Sequence, residues 1–266
     1  KKDFFSSLAS KILSQTTSGA SSNGYLAFAE AAQVGLEQKH VMLALDDPIT
    51  KSYIETKGWD NRLPPISFDP TDSKNETRDF VALSEANVGA NKVNRFLTRS
   101  ISYDMTIGRD ADLVATIKVS YTNNSLAQTW PAGKYVNYLR LYVPKDIDLI
   151  SYANGDKTDK SEVVVTKNGN LTALETYVEV PIKSTKEVMF KYRIPKNINL
   201  ENAPIYNLYV QKQPGTEKDE FRFTFNLPAY LSAKSINGQT TDGQNLSQVT
   251  DLARDRQFKI EVEKKH

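Results

Sequence analysis

The chain of 266 residues contains no cysteine. That excludes a disulfide framework, thiolate zinc sites, iron–sulfur clusters and a cysteine nucleophile. Histidine is nearly absent too, with only His40 and the terminal His266. A multi-histidine metal centre is therefore excluded, and a histidine-based triad has one internal candidate. Neither sign of charge dominates: 34 Lys and Arg stand against 32 Asp and Glu, for a net charge of +2. This gives no global attraction to nucleic acid. No apolar run approaches the roughly 20 residues that span a bilayer, and the N-terminus has no signal-peptide pattern. No short repeat is visible, which argues against solenoids and propellers. The first residue is Lys1, not Met, and opens directly into a helix-like stretch, so the chain reads as a fragment or a processed form.

What is present suffices for a core, since 39% of residues are hydrophobic and 25% charged. The periodicity changes near residue 98. Before it, Phe4, Phe5, Leu8, Ile12 and Leu13 recur at helical steps behind Asp3, a possible cap. Residues 16–24 read as a loop, and a second helix opens at Asn23 or Gly24. Val41-Met42-Leu43-Ala44-Leu45 is too short for a helix and is expected to be a buried strand. Asp47-Pro48 supplies a cap and a first-turn proline, and Gly58 a left-handed stop that Trp59 closes. Residues 60–78 read as a loop and Asp79–Leu83 as another strand.

From residue 98 the period is two. Ile101, Tyr103, Met105 and Ile107 alternate with polar residues, and Leu113 to Tyr121 does the same across a turn at Gly108–Asp112. This predicts an antiparallel hairpin with one buried face. Nine further strand candidates follow, several ended by Pro144, Pro181, Pro195 or Pro228. Many short strands about ten residues apart predict a sandwich. The expected class is α+β. Residues 1–97 would be a partial α/β segment and 98–266 an antiparallel Ig-like β-sandwich, with a division into 98–200 and 201–266 left open.

Four stretches carry a family resemblance: Lys39–Pro48 with Lys57–Asp60, Glu85–Asn94 with Thr98–Ser100, Asn137–Pro144, and Val210–Gly215. The Asn-x-Gly-x-Asn-Lys-x-Asn run within the second is the most specific. In this order they resemble the C-terminal half of a bacterial envelope family, domain of unknown function 4012. That family's upstream region is similar to LytR–CpsA–Psr glycopolymer transferases. The resemblance implies a membrane-anchored parent facing outward, with a remnant α/β domain joined to a β-sandwich. The transferase residues lie mostly before the helix that Lys1–Leu13 resembles, so no catalytic residue carries over. Cysteine-free composition fits a Gram-positive or similar envelope.

The candidate ligand-binding residues are Asn87, Gly89, Asn91, Lys92, Arg95, Arg99 and Trp130. Three amides that both donate and accept sit beside three cations within eight residues. If the stretch from Asn91 is helical, Asn91, Lys92, Arg95 and Arg99 share a face suited to phosphate or sugar. Gly89 would let backbone N–H groups approach an anion. The competing reading makes these residues turn and cap formers that fix a crossing between domains. Trp130, beside Pro131, is the best exposed platform for a sugar ring. Tyr121, Tyr135, Tyr138, Tyr142, Tyr152, Tyr177, Tyr192, Tyr206 and Tyr209 fit ordinary strand propensity. No Gly-x-Ser-x-Gly elbow accompanies His40, and neither Asp46-Asp47 nor Asp69 with Asp72 fits a calcium loop. Glu175, Glu179 and Glu187 read as solvated.

The expected function is therefore a non-catalytic extracytoplasmic structural or binding module of a cell-envelope protein. Alternatives are part of a LytR–CpsA–Psr-type transferase whose catalytic residues lie upstream, and a carbohydrate-binding module. No cofactor or metal is expected. The partners would be cell-wall glycopolymer or another envelope protein, with no nucleic acid and membrane contact only through an upstream anchor.

Overall fold

The computed structural model describes residues 6, 7, 10, 11, 14, 22–63, 76–195 and 204–265. Most of the helix expected over residues 4–13 lies outside them, as do Asp69, Asp72 and His266. The chain divides into two units, Lys1–Leu63 and Pro64–His266.

The first unit contains helices α1 (Ser22–Glu37) and α2 (Pro48–Lys57). Asp47 caps α2 by accepting the Thr50 N–H at 2.9 Å, which holds its carboxyl below the usual range. Gly58 ends α2 at φ 68°, and the Trp59 N–H reaches the Ile54 carbonyl at 3.1 Å. The Trp59 ring meets Tyr53 edge-on, with centroids 5.7 Å apart. The buried strand expected at Val41–Leu45 does not form. His40 and Val41 donate to the Gly35 carbonyl, and Leu43 donates to Trp59. No described strand lies alongside to pair with it, and Val41, Met42 and Leu45 are about half exposed.

The second unit is built of β1 (Glu76–Asn87), β2 (Leu97–Ile107), β3 (Leu113–Asn123), β4 (Tyr135–Pro144), β5 (Asp148–Asn154), β6 (Val164–Asn168), β7 (Leu171–Val180), β8 (Ser184–Ile194), β9 (Ile205–Gln211), β10 (Glu220–Asn226), β11 (Leu231–Ile236), β12 (Gln239–Gly243), β13 (Asn245–Asp251) and β14 (Arg256–Lys264). An eight-stranded sheet has the order β12-β11-β14-β9-β1-β4-β7-β6, and a six-stranded sheet the order β13-β10-β2-β3-β8-β5. Side chains of both sheets form one buried cluster, from Ile101, Tyr103 and Met105 on β2 to Leu139 and Leu141 on β4. Each large side chain so buried contributes about 1.5–3 kcal/mol.

Three expectations are corrected. The sheets are mixed, because β1 pairs with β9 and β2 with β10 in parallel. The boundary at 97/98 moves to 63/64, because β1 is hydrogen-bonded on both sides, to β4 and to β9. Residues 201–266 form no second sandwich: β9 joins the larger sheet beside β1 while β10 joins the smaller beside β2, so the last strands widen both sheets of one body.

The two sheets are tied by a carboxylate at their centre. Asp79 of β1 is 1% exposed and accepts hydrogen bonds from Tyr103 of β2 and Tyr206 of β9, and from the Phe80 N–H at 2.7 Å. Tyr192 of β8 donates to the Tyr103 hydroxyl at 3.3 Å. Burial raises the Asp79 pKa to about 6 against the pull of the two tyrosines.

Asp79 in the unfolded chain titrates near 4. Below that pH both states are protonated. Between about 4 and 6 the native state keeps a proton that the unfolded state has lost, so stability falls as pH rises. The shift corresponds to about 3 kcal/mol. Urea denaturation of the chain and of Asp79→Asn across pH 3.5–7.5 should therefore diverge by roughly this amount, with the asparagine variant losing the slope. Parallel curves would refute a protonated Asp79 in the core.

Candidate functional site

One end of the sandwich gathers the loops 88–96, 124–134, 181–183 and 212–219, as the strand registers require. Asparagine side chains build the first two. The Asn87 amide donates to Asn94 Oδ1 at 2.8 Å and to Asn91 Oδ1 at 3.0 Å, while its own oxygen takes the Gly89 N–H at 2.9 Å. Asn91 donates to the Lys134 carbonyl at 2.9 Å. Asn123, fully buried, holds the Gly133 and Val180 carbonyls at 2.9 and 3.1 Å. The Lys92 N–H reaches the Pro131 carbonyl at 2.8 Å, lacing the two loops together.

The expected anion cradle is thus occupied by the protein itself. Asn87 and Asn91 spend their polar atoms on the loops. The left-handed residue is Ala90 at φ 56°, not Gly89. A Cβ at 89 would sit 3.1 Å from Asn87 Oδ1, so a larger residue would press on the amide that organises this loop. Nor is the segment from Asn91 an α-helix. A 3-10 turn at Val93–Phe96 leads straight into β2, so Lys92, Arg95 and Arg99 share no helical face.

Arg99 points inward from β2. It donates to Glu85 of β1 and, at 2.5 Å, to Asp219 Oδ2, with all three side chains at most 14% exposed. Tyr121 of β3 donates to the same Glu85 carboxylate. Burial opposes the Arg99 charge, but the two carboxylates outweigh it and push its pKa up. Burial and Glu85 together raise the Tyr121 hydroxyl. The Gln213 amide pairs with both backbone groups of Glu85 at 3.2 Å, continuing the β1 ladder where β9 has ended. Buried Lys212 folds the following turn around its ammonium, which donates to the Gln213 and Thr216 carbonyls at 3.1 and 2.6 Å.

Beside this network lies a cleft of about 490 Å³, lined by Glu85, Asn94, Arg95, Arg99, Lys218 and Asp219 among others. Arg95 stands exposed at its lining, and among the described residues its side chain has no ion-pair or hydrogen-bond partner. Lys92 is exposed on the same loop, and Trp130 is 74% exposed on the loop laced to it. Of the seven candidates, then, Asn87, Gly89 and Asn91 are scaffold, Arg99 is an internal ion-pair partner, and Lys92, Arg95 and Trp130 face outward. Sequence reading missed Glu85, Tyr121 and Asp219. Asp219 is 120 residues from Arg99 and has no local signal.

No family model matches the chain, and no curated protein matches it. Solved structures similar to it include a protein described as nutrient-binding from Legionella pneumophila, at 8% identity and TM-score 0.40, covering 70% of this chain and 71% of that one. An M1 zinc metallopeptidase from Deinococcus radiodurans is similar at 10% identity and TM-score 0.33, with coverages of 63% and 42%. Leukotriene A4 hydrolase from Saccharomyces cerevisiae is similar at 8% identity and TM-score 0.35, with coverages of 64% and 30%. The chain thus spans less than half the length of either enzyme. Likeness at this level carries no inference about activity.

Removing Arg99 strands two buried carboxylates. Arg99→Met should cost about 3–5 kcal/mol in urea denaturation, while Arg99→Met combined with Glu85→Gln and Asp219→Asn should recover most of it. A single variant within 0.5 kcal/mol of the parent, roughly the scale of a surface substitution, would contradict this account.

Proposed function

We propose that this chain is a non-catalytic, extracytoplasmic binding module of a bacterial envelope protein, and that the loop end of its sandwich meets cell-wall glycopolymer. The observation that carries this reading is the pair of laced loops that hold Arg95 at a cleft whose Arg99, Glu85 and Asp219 are already paired, with Lys92 and Trp130 exposed on the same two loops. Rigid loops lower the entropic cost of binding, unpaired cations attract phosphate, and an exposed indole stacks on a sugar ring. The family resemblance of the Asn-x-Gly-x-Asn-Lys-x-Asn run supports the envelope setting. Its residues build the very loops that present these side chains. In the first unit Tyr25, Leu26, Phe28 and Val34 of α1 are about half exposed or more, the kind of apolar surface that supports a role in assembly. The Ig-like description of the sandwich belongs to this reading as well.

Sedimentation of the chain with purified phosphate-bearing wall glycopolymer tests it. Binding should weaken about tenfold or more in Arg95→Glu and in Trp130→Ala, and should fall steeply as salt rises to about 0.5 M. Both positions are exposed, so neither change should move the melting temperature. Failure to co-sediment at low salt would sink the reading.

A further inference from the structure

A second surface adjoins the loop end but uses none of its outward side chains. On the face of the larger sheet turned away from the core, Ala86 of β1, Tyr138 of β4 and Tyr177 of β7 lie in one cross-strand row. The next row is Ser84, Arg140, Glu175 and Val164 of β6. The Tyr138 and Tyr177 rings are 4.9 Å apart and inclined at 51°, and Tyr177 is 63% exposed. The Arg140 guanidinium lies over Tyr138 at 5.6 Å. Among the described residues it has no hydrogen-bond or ion-pair partner, and its Nε is buried. Glu175 is held in place by Tyr138 and Thr166, which donate to its two oxygens at 2.5 and 2.6 Å. Each carboxylate oxygen keeps a further lone pair.

We propose that this face is a binding platform for a neutral pyranose glycan. A cation and a carboxylate face each other across strands, so their charges cancel toward an approaching ligand and a charged one gains little. A polyol gains from both, accepting from the idle guanidinium donors and giving hydroxyl hydrogens to Glu175. The tyrosine rings beside them offer apolar faces to the C–H side of a sugar ring. The small side chains of Ser84 and Ala86 leave room above the neighbouring strand. Strands, unlike loops, fix these groups at constant spacing, which preorganises them.

Titration of the whole chain with cellohexaose, xylohexaose and chitohexaose, followed calorimetrically, tests the assignment. At least one should bind, with affinity about tenfold lower in Tyr177→Ala and in Arg140→Ala and unchanged in Trp130→Ala and Arg95→Ala. Salt at about 0.5 M should leave binding of the neutral sugar intact, unlike that of wall glycopolymer. Circular dichroism melting identifies any variant that fails to fold, and Glu175→Gln then serves as the alternative reporter, again about tenfold weaker. The proposal is overturned if none of the three sugars binds, or if binding is lost in Trp130→Ala rather than in Tyr177→Ala.

Discussion

The contact between Asp79 and the tyrosines of both sheets is the constraint on which the sandwich depends. In most strands the alternation of apolar and polar residues decides which face turns inward. In β1 it does not, because Asp79 to Leu83 is buried without interruption. Phe80 packs on the outer side against Tyr209, with centroids 6.2 Å apart, while Val81 and Leu83 enter the core between the sheets. A slip of one residue would exchange two apolar sets of similar size at modest cost. It would also expel Asp79 and leave the Tyr103 and Tyr206 hydroxyls buried without an acceptor, at about 1–3 kcal/mol each. The Asp79 carboxylate, together with inward Glu85 against Arg99, therefore does what patterning cannot: it fixes the facing of the strand that lies between β9 and β4. Its tyrosine partners come from β2 and β9, and Tyr192 of β8 joins through Tyr103, so the same contact sets the two sheets against each other.

Much of the second unit was legible. The period of two in β2 and β3 gave a hairpin whose inward residues are those that alternate in the sequence, and the prolines ended strands as expected. What escaped was either polar or distant. β12 (Gln239–Gly243) and β13 (Asn245–Asp251) are polar edge strands with little apolar alternation, and Pro228 pointed only to the end of β10. Parallel pairing of β1 with β9 joins residues about 130 apart, and no local pattern encodes it. The domain boundary was misplaced for the same reason. Glu76–Asn87 reads locally like a strand of whichever sheet precedes it, and only its two neighbours reveal where it belongs.

The candidate site was legible as a place but not as a division of labour. Asn87, Asn91, Arg95 and Arg99 do converge on one end of the sandwich. Amides and cations close in sequence, however, satisfy one another as readily as they satisfy a ligand. Here the amides won that competition internally because each had a backbone group within reach. Arg95 and Arg99 are four residues apart and chemically identical. The strand that begins at Leu97 carries Arg99 inward to Glu85 and Asp219, and the turn before it leaves Arg95 in solvent.

The same contrast recurs across the thickness of the larger sheet. Glu85 on β1 and Glu175 on β7 each accept a tyrosine hydroxyl and each lie near an arginine. Inside, Glu85 and Arg99 meet directly, because a charge in a low-dielectric core must be paired or neutralised. Outside, Glu175 and Arg140 are only partly buried, so the pressure to pair is weaker, and the guanidinium rests on an aromatic face. A closed pair is costly to break on one side only and has nothing left to offer a ligand. An open pair contributes little to stability, yet its donors and acceptors remain available. Burial alone thus converts one set of residue types into a structural clamp and the other into a recognition surface.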